Sequence, residues 1–375
     1  MTIAHFSDTH LGYFAYNRTD QGRLNQREVD IALAFKGILD AIAERDPDLV
    51  IHSGDLFHTI RPSNYSLIWA YRSIEKFQRK RNGRPFVIIG GNHDTPKSAD
   101  LTSILQLFSG IEGVYVEFGM AATIALDNIE VLCFPSKALE AKDNTSMAPS
   151  LGKKFSVLTL HGVAKETNFD DPTFSVPDTR PGEWTYVAYG DFHVHTSYGP
   201  NACYAGSTEF TSTNIWEEAR HRKGWVYFDS AVGKLEFVPS KARLVIDLPA
   251  IDAINLTGEQ LGEAMMAQAT WKGGDLPIVR QRVTNVLPEV QRQIPIKVIR
   301  AIDSLCLNYK TEYVRPTDVL RFSQDGGRSQ TLEASWENHV ASASIPADLD
   351  RNRLRDHGLE LLKEVTDREA EAIEA

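Results

Sequence analysis

The chain has 375 residues, 42% of them hydrophobic, with 40 basic against 50 acidic side chains and a formal net charge of -10. That composition excludes wholesale disorder and fibrous repeats, and the length suits a large α/β domain with a smaller companion. The acidic balance also excludes a protein whose whole surface clings to nucleic acid, while leaving room for a local basic patch or a helper subunit.

Met1 leads directly into a strand-like segment from Thr2 to Ser7, so no signal segment is predicted, and no apolar run is long enough to span a bilayer. Cys133, Cys203 and Cys306 are isolated, without CxxC spacing, which argues against a disulfide framework or a thiolate zinc site and for a reducing, cytoplasmic setting. Ile31, Phe35, Ile38 and Ile42 recur at helical spacing behind a cap-like Asn25 and Glu28, and Asp46-Pro47 stops that helix. A second strand runs from Leu49 to Asp55. Leu67, Ala70, Tyr71, Ile74 and Phe77 then mark a second helix over residues 64–80, and a third strand runs from Phe86 to Asp94. Apolar runs such as Leu49-Val50-Ile51 and Phe86-Val87-Ile88-Ile89 suit strands buried on both faces.

Beyond residue 113 the pattern turns β-rich, with candidate strands at 114–118, 123–126, 129–134, 156–160 and 186–189 and a closing hairpin around Gly233. Long polar loops at 143–149 and 166–181 interrupt this second sheet. A boundary is expected near residue 240. Leu244, Ile246 and Leu248 alternate as a new strand, Thr257 and Gln260 cap a helix carrying Leu261, Ala264 and Met265, and Ile278 to Val283 forms the next strand. The expected division is 1–240, 241–328 and 329–375. The last part is charged and helical, with Leu354, Leu361 and Val365 as a narrow apolar stripe suited to a partner helix.

The chemistry gathers at strand ends. Asp8 and His10 close the first strand, Asp55 follows Gly54 at the second, and Asn92, His93 and Asp94 follow Gly90-Gly91 at the third; His161-Gly162 and the cluster Asp191, His193, His195 follow later strands. Residues i and i+2 leaving a strand project to one side, so each pair can aim at one point. Carboxylate, imidazole and amide donors without sulfur suit two hard or borderline cations, Mn²⁺ or Fe²⁺ before Zn²⁺. Two such ions about 3.5 to 4 Å apart polarise a phosphoryl group and activate a water, so phosphoester hydrolysis is the expected reaction. His5 and His52 lie inside strands and read as core residues.

The blocks D-x-H, GD, GNH[D/E], H and a GHxH-like end, in that order over residues 8 to 195, resemble the calcineurin-like metallophosphoesterase superfamily. Gly54-Asp55-Leu56-Phe57-His58, Gly91-Asn92-His93-Asp94-Thr95-Pro96 and Tyr204-Ala205-Gly206-Ser207 further resemble SbcD-type DNA repair nucleases, to about residue 320. The resemblance implies a four-layer α/β/β/α sandwich with a small α+β cap and a helical tail. It implies that Asp8, His10, Asp55 and His193 hold one metal and Asp55, Asn92, His161 and the residue at Asp191 the other, with Asp55 as the bridge. His93 would then assist the leaving oxygen, His58 would orient it, and Asp94 would fix the ring N–H of His93. The family's Gly-His-x-His stands here as Gly190-Asp191-Phe192-His193-Val194-His195, so the pair is Asp191/His193, the favoured register, or His193/His195 after a two-residue insertion.

The same resemblance implies a Mn²⁺-dependent exonuclease or endonuclease in double-strand break repair, with DNA and an SbcC-type coiled-coil ATPase as partners and dimerisation through the helix at 64–80. Arg18, Arg23, Arg27 and above all Arg61 are candidates for DNA phosphate contact. Two alternatives stand beside it. A dimetal phosphatase or phosphodiesterase would act on a phosphoprotein or small phosphoester, although Leu56-Phe57-His58 replaces the Val-Asp-Arg-Gly run of protein phosphatases; a scaffold would keep the fold without chemistry.

Overall fold

A computed structural model describes residues 1–96, 98, 102–271, 274–316, 332–342 and 350–374. They fall into two compact units, Met1–Arg315 and Pro316–Ala375. The first begins β1 (Thr2–Phe6), α1 (Gln26–Arg45), β2 (Leu49–His52), α2 (Asn64–Lys80), β3 (Phe86–Ile89) and β4 (Val114–Glu117). It continues β5 (Ala122–Ala125), β6 (Ile129–Phe134), α3 (Ser136–Glu140), β7 (Phe155–His161), β8 (Tyr186–Gly190), β9 (Thr196–Ser197), β10 (Ala202–Tyr204), α4 (Ile215–Glu218), β11 (Gly224–Asp229) and β12 (Lys234–Pro239).

Two six-stranded sheets result, ordered β12-β11-β1-β2-β3-β4 and β5-β6-β7-β8-β10-β9. β1 to β4 run parallel, as do β6, β7, β8 and β10, so the carboxyl ends within each set lie on one side. Alternation along the buried strands builds the layers. Ala4, Phe6, Val50 and Ile88 face Ile31, Phe35 and Ile74 of α1 and α2, whereas Ile3, Leu49, Ile51 and Val87 meet Val131, Val157 and Ala188 of the second sheet. The outer face of that sheet, with Leu158, Leu160 and Tyr189, is covered by α3 and by loop residues Phe174, Val176 and Trp184. This is the four-layer sandwich, its fourth layer made of a short helix and single turns rather than long helices.

Local signals work largely as expected. Asn25 caps α1 by accepting from the Arg27 N–H, and left-handed Asp46 ends it. Glu28 closes no capping box; its carboxylate instead accepts from the hydroxyls of Ser63 and Ser66 at 2.8 and 2.6 Å, tying α1 to the start of α2.

After residue 240 come β13 (Val245–Asp247), β14 (Ile251–Asp252), α5 (Gly258–Gln268), β15 (Ile278–Thr284), α6 (Pro288–Gln293), α7 (Ile296–Ser304) and β16 (Asn308–Tyr313). β15 is central, with β13 and β14 along one edge and β16 along the other, all parallel to it. Thr257 and Gln260 form the reciprocal capping box of α5. Leu261, Met265, Val279, Val283 and Ile302 make a separate small core. A second cluster joins Ile278 and Leu307 of this region to Phe210, Ile215 and Trp216.

The unit from Pro316 contains α8 (Leu332–Ser342) and α9 (Arg351–Glu374), which pack on each other: Trp336 Nε1 donates to the Arg355 carbonyl at 2.9 Å. Leu354 of the expected stripe is half-buried and Leu361 exposed; the side chain of Val365, and the expected boundary at 328/329, lie outside what is described. No helix among the described residues is long and apolar enough to cross a membrane.

Candidate active site

β1, β2, β7 and β8 end beside one another, and their exits carry the expected residues into one place. The route is not the strand pleat. Asp8, His10 and Asp55 lie beyond the last strand residues with φ of 52°, 53° and 57°, and Asp191 has φ of 98°. Left-handed backbone, unusual for residues with a Cβ, bends each exit inward, a strain typical of functional sites. Two glycines permit the crowding: a Cβ on Gly91 would lie 2.0 Å from Asp55 Oδ1, and one on Gly190 would lie 1.9 Å from the Ser53 carbonyl oxygen.

Three overlapping groups of donor atoms result: Asp8, Asp55 and His161; Asp8, His10 and His193; and His10, His58 and His93, each within 4.8 Å. His161 Nε2 lies 3.5 Å from Asp55 Oδ2, 3.1 Å from Asn92 Oδ1 and 3.7 Å from Asp191 Oδ1. His10 Nε2 lies 3.1 Å from His193 Nε2 and 3.7 Å from Asp55 Oδ2. Asp8, Asp55 and His161 are 0, 1 and 0% exposed.

Burial and mutual charge set the protonation of this cluster. Burial pushes the Asp8 carboxyl up to about 6, against the pull of His193 and His161. Burial acts the same way on Asp55, but His161 and His10 outweigh it and hold Asp55 below the usual carboxylate range. Burial opposes the charged form of His161 too, yet Asp55, Asp191 and Asp8 raise it well above the ordinary imidazole value. His10 is lowered, chiefly by burial. Buried carboxylates with imidazole and amide donors, and no sulfur, fit a divalent cation. Imidazole nitrogens facing each other at 3.1 Å fit one as well.

The supports around the cluster are specific. His161 Nδ1 bonds the Ser53 carbonyl at 2.8 Å, and a carbonyl only accepts, so Nδ1 carries the proton and Nε2 faces the cluster. His93 Nδ1 bonds the His58 carbonyl at 2.9 Å, its backbone N–H donates to Asp55 Oδ1 at 3.0 Å, and its ring stacks on His58 with centroids 5.1 Å apart. The expectation that Asp94 fixes the His93 ring is therefore corrected. The Asp94 carboxylate accepts from the backbone N–H groups of Leu56 and Gly91, at 2.7 and 2.8 Å, and of Phe57 at 3.3 Å. It braces the loops that carry Asp55 and His93 instead of touching the imidazole.

His195 is the second correction, since among the described residues it joins none of the three groups. Its Nδ1 bonds the Tyr204 carbonyl at 2.8 Å and its ring stacks on Phe237 at 4.7 Å, one residue before β9 turns back along β10. Asp191 and His193 face the cluster. The strand-alternation argument fails for the same reason at both ends, because the turn and not the pleat directs these side chains. Arg61 is exposed and bonds no described residue, but Arg27 is buried against Asp30 and Glu209, and Arg18 pairs with Asp303, so neither offers a free guanidinium. His5 and His52 are buried in the core, as expected.

Two residues that the sequence reading passed over stand behind His193. Glu218 Oε1 lies 3.1 Å from His193 Nδ1, and Lys223 Nζ donates to Glu218 Oε2 at 2.8 Å, Ser207 Oγ at 2.7 Å and the His193 carbonyl at 3.0 Å. Within Glu217-Glu218-Ala219-Arg220-His221-Arg222-Lys223 both look like members of a solvated charged run, and only their burial sets them apart.

A two-sheet sandwich with His, Asp and Asn donors at its strand exits defines the class, and the calcineurin-like phosphoesterase family matches residues 1–226; the chain belongs to that family. Its relatives include archaeal proteins named DNA double-strand break repair protein Mre11. The one from Thermoplasma acidophilum is 30% identical over 226 residues, covering 56% of this chain and 57% of that protein. The one from Saccharolobus solfataricus is 28% identical over 267 residues, covering 68% and 63%, and the one from Methanocaldococcus jannaschii is 29% identical over 252, covering 63% and 64%. This chain thus spans 57 to 64% of the length of these relatives.

Proposed function

We propose that the chain is a divalent-metal-dependent DNA nuclease that hydrolyses phosphodiesters in DNA end processing and double-strand break repair. The observation that carries the reading is the sharing of Asp8 and His10 among overlapping donor groups whose nitrogen and oxygen atoms lie within 4.8 Å. Asp8, His10, Asp55 and His193 would hold one ion, and Asp55, Asn92, His161 and Asp191 the other. Mn²⁺ fits this sulfur-free set best, with Fe²⁺ or Zn²⁺ as alternatives, and a carboxylate at Asp191 in place of imidazole favours the harder ion. Bound there, such ions polarise the phosphoryl group and make water a nucleophile at neutral pH.

The chain's own residues do the rest. Water adds to phosphorus and loses a proton to solvent, the bond to the sugar oxygen breaks, and His93 is the side chain placed to pass a proton from its Nε2 to that oxygen. Its Nδ1–H stays on the His58 carbonyl, 2.9 Å away, which fixes the direction of the ring. The products are a phosphate monoester and a hydroxyl group.

DNA is favoured over other phosphoesters by the likeness to break-repair proteins, and exposed Arg61, five residues beyond Leu56, would contact a backbone phosphate. An SbcC-type coiled-coil ATPase would supply the duplex-binding surface that a chain of net charge -10 lacks, with α9 as a docking helix. A second copy would meet the outer face of α2, where Ile68 is 50% exposed. Buried free thiols at Cys133, Cys203 and Cys306 suit the cytoplasm.

The test is Mn²⁺-dependent cleavage of end-labelled linear and hairpin DNA beside a phosphotyrosine peptide and a cyclic nucleotide, with Asp55→Asn as control. Cleavage of DNA that disappears in the variant is expected. Activity confined to the small phosphoesters would replace this reading with the dimetal phosphatase.

A further inference from the structure

The charged segment between α4 and β11 is held from both ends. Ile215 and Trp216 of α4 are buried with Phe210, Ile278 and Leu307, and the Arg280 guanidinium lies over the Trp216 ring at 5.0 Å. Gly224, directly after Lys223, opens β11 and pairs with Pro239. Glu218 and Lys223 are therefore fixed by packing, at 7 and 2% exposure, and neither can swing into solvent. All three Lys223 donors and both Glu218 oxygens are engaged, the latter with His193 and Lys223. Their protons and oxygens are thus committed to each other and to His193 and Ser207, behind the donor cluster and not in it.

We propose that Glu218 is a positioning residue for His193, accepting its Nδ1–H so that the unprotonated Nε2 faces Asp8 and His10, with Lys223 holding the carboxylate in place. This rests on the reading of His193 as a metal ligand. A carboxylate behind an imidazole fixes its tautomer and rotation and raises its basicity, and losing such a support typically weakens metal affinity by about 10- to 100-fold. Because α4 is seated on the small sheet, the orientation of one ligand depends on packing against β15 and its neighbours.

Glu218→Ala alone would leave the Lys223 ammonium buried and unpaired, so the informative variant is Glu218→Ala/Lys223→Met, which removes both charges. The full chain is stripped with EDTA, its melting temperature is recorded, and Mn²⁺ is titrated while free Mn²⁺ is followed by electron paramagnetic resonance. The double variant is expected to melt cooperatively near the wild-type temperature and to bind one Mn²⁺ about 10- to 100-fold more weakly. Wild-type affinity at both sites would overturn the proposal. Should the double variant not melt cooperatively, Glu218→Gln/Lys223→Met decides: the amide oxygen still accepts from Nδ1 but without charge, and no buried ammonium is left unpaired, so a several-fold weakening is expected and an unchanged Kd overturns the proposal. His193→Ala separates the two levels of the argument. If it binds two Mn²⁺ like wild type, the ligand reading fails and the proposal with it; if it weakens one site and the double variant does not, only the positioning role fails.

Discussion

Two regions of the first unit solve the same packing problem and spend their charges differently. In the double-sheet region the ionisable side chains at the strand exits are buried and converge, so that Asp8, Asp55 and His161 crowd one point almost without exposure. In the small sheet the charges lie across its surface. Asp247 accepts from Arg280 at 2.8 Å and from Arg282 at 3.4 Å, and Glu312 accepts from Lys310 at 2.7 Å, each pair at least partly in solvent. A fold with no need to concentrate charge pairs it locally at the surface; convergence of buried carboxylates costs stability and marks a place where a cation belongs.

That contrast can be broken most severely at His93. His93→Asn should lower DNA cleavage by on the order of 10² to 10⁴-fold while leaving Mn²⁺ stoichiometry intact. Loss of a bound ion in this variant would instead make His93 a ligand, through its grouping with His10 and His58. In the small sheet the matching experiment is apolar. Ile302→Ala, at a fully buried position of α7, should cost about 2 to 5 kcal/mol in urea unfolding without changing metal affinity directly.

Acid sharpens the comparison next, through two core histidines that belong to none of the three donor groups. Burial holds His5 and His52 down at about 3, with neighbouring imidazoles adding to the effect. Their folded values lie below the unfolded one, so the stability they contribute is complete above about pH 6.5 and is lost as pH falls from there toward 3. Unfolding free energies of the EDTA-treated protein, from urea titration, should therefore decline on acidification by up to about 1.4 kcal/mol per pH unit for each group, and His52→Asn should flatten the curve by about one proton. An unchanged slope would mean that His52 charges freely in the fold. The smallest effect is expected at Arg61, where Arg61→Ala should reduce the salt dependence of DNA binding by about one phosphate contact and leave cleavage at saturation unchanged.

Much of this was legible in the sequence, and the limits have physical causes. Apolar runs such as Leu49-Val50-Ile51 announce buried parallel strands, and the polar residues that end them announce the site, because only strand ends on one side of a sheet can share it. The exits themselves were not legible. Left-handed conformations at Asp8, His10, Asp55 and Asp191 are imposed by tertiary packing, so the pleat brought these residues together through the wrong geometry and left His195 as the alternative to the favoured Asp191/His193 register. Asp94 departs from the role that the resemblance implied, because its carboxylate turns back to three backbone donors, a contact that depends on how the loops fold. Glu218 and Lys223 gave no signal, since burial of a charged pair depends on what α4 and β11 pack against.

The most direct test of the central claim, that the strand exits would hold two divalent ions with Asp55 contributing to both, is the Mn²⁺ content of EDTA-stripped and reconstituted protein beside Asp55→Asn. Two ions per chain in the wild type and fewer than one in the variant are predicted. Two ions retained by Asp55→Asn, or none taken up by the wild type, would contradict it.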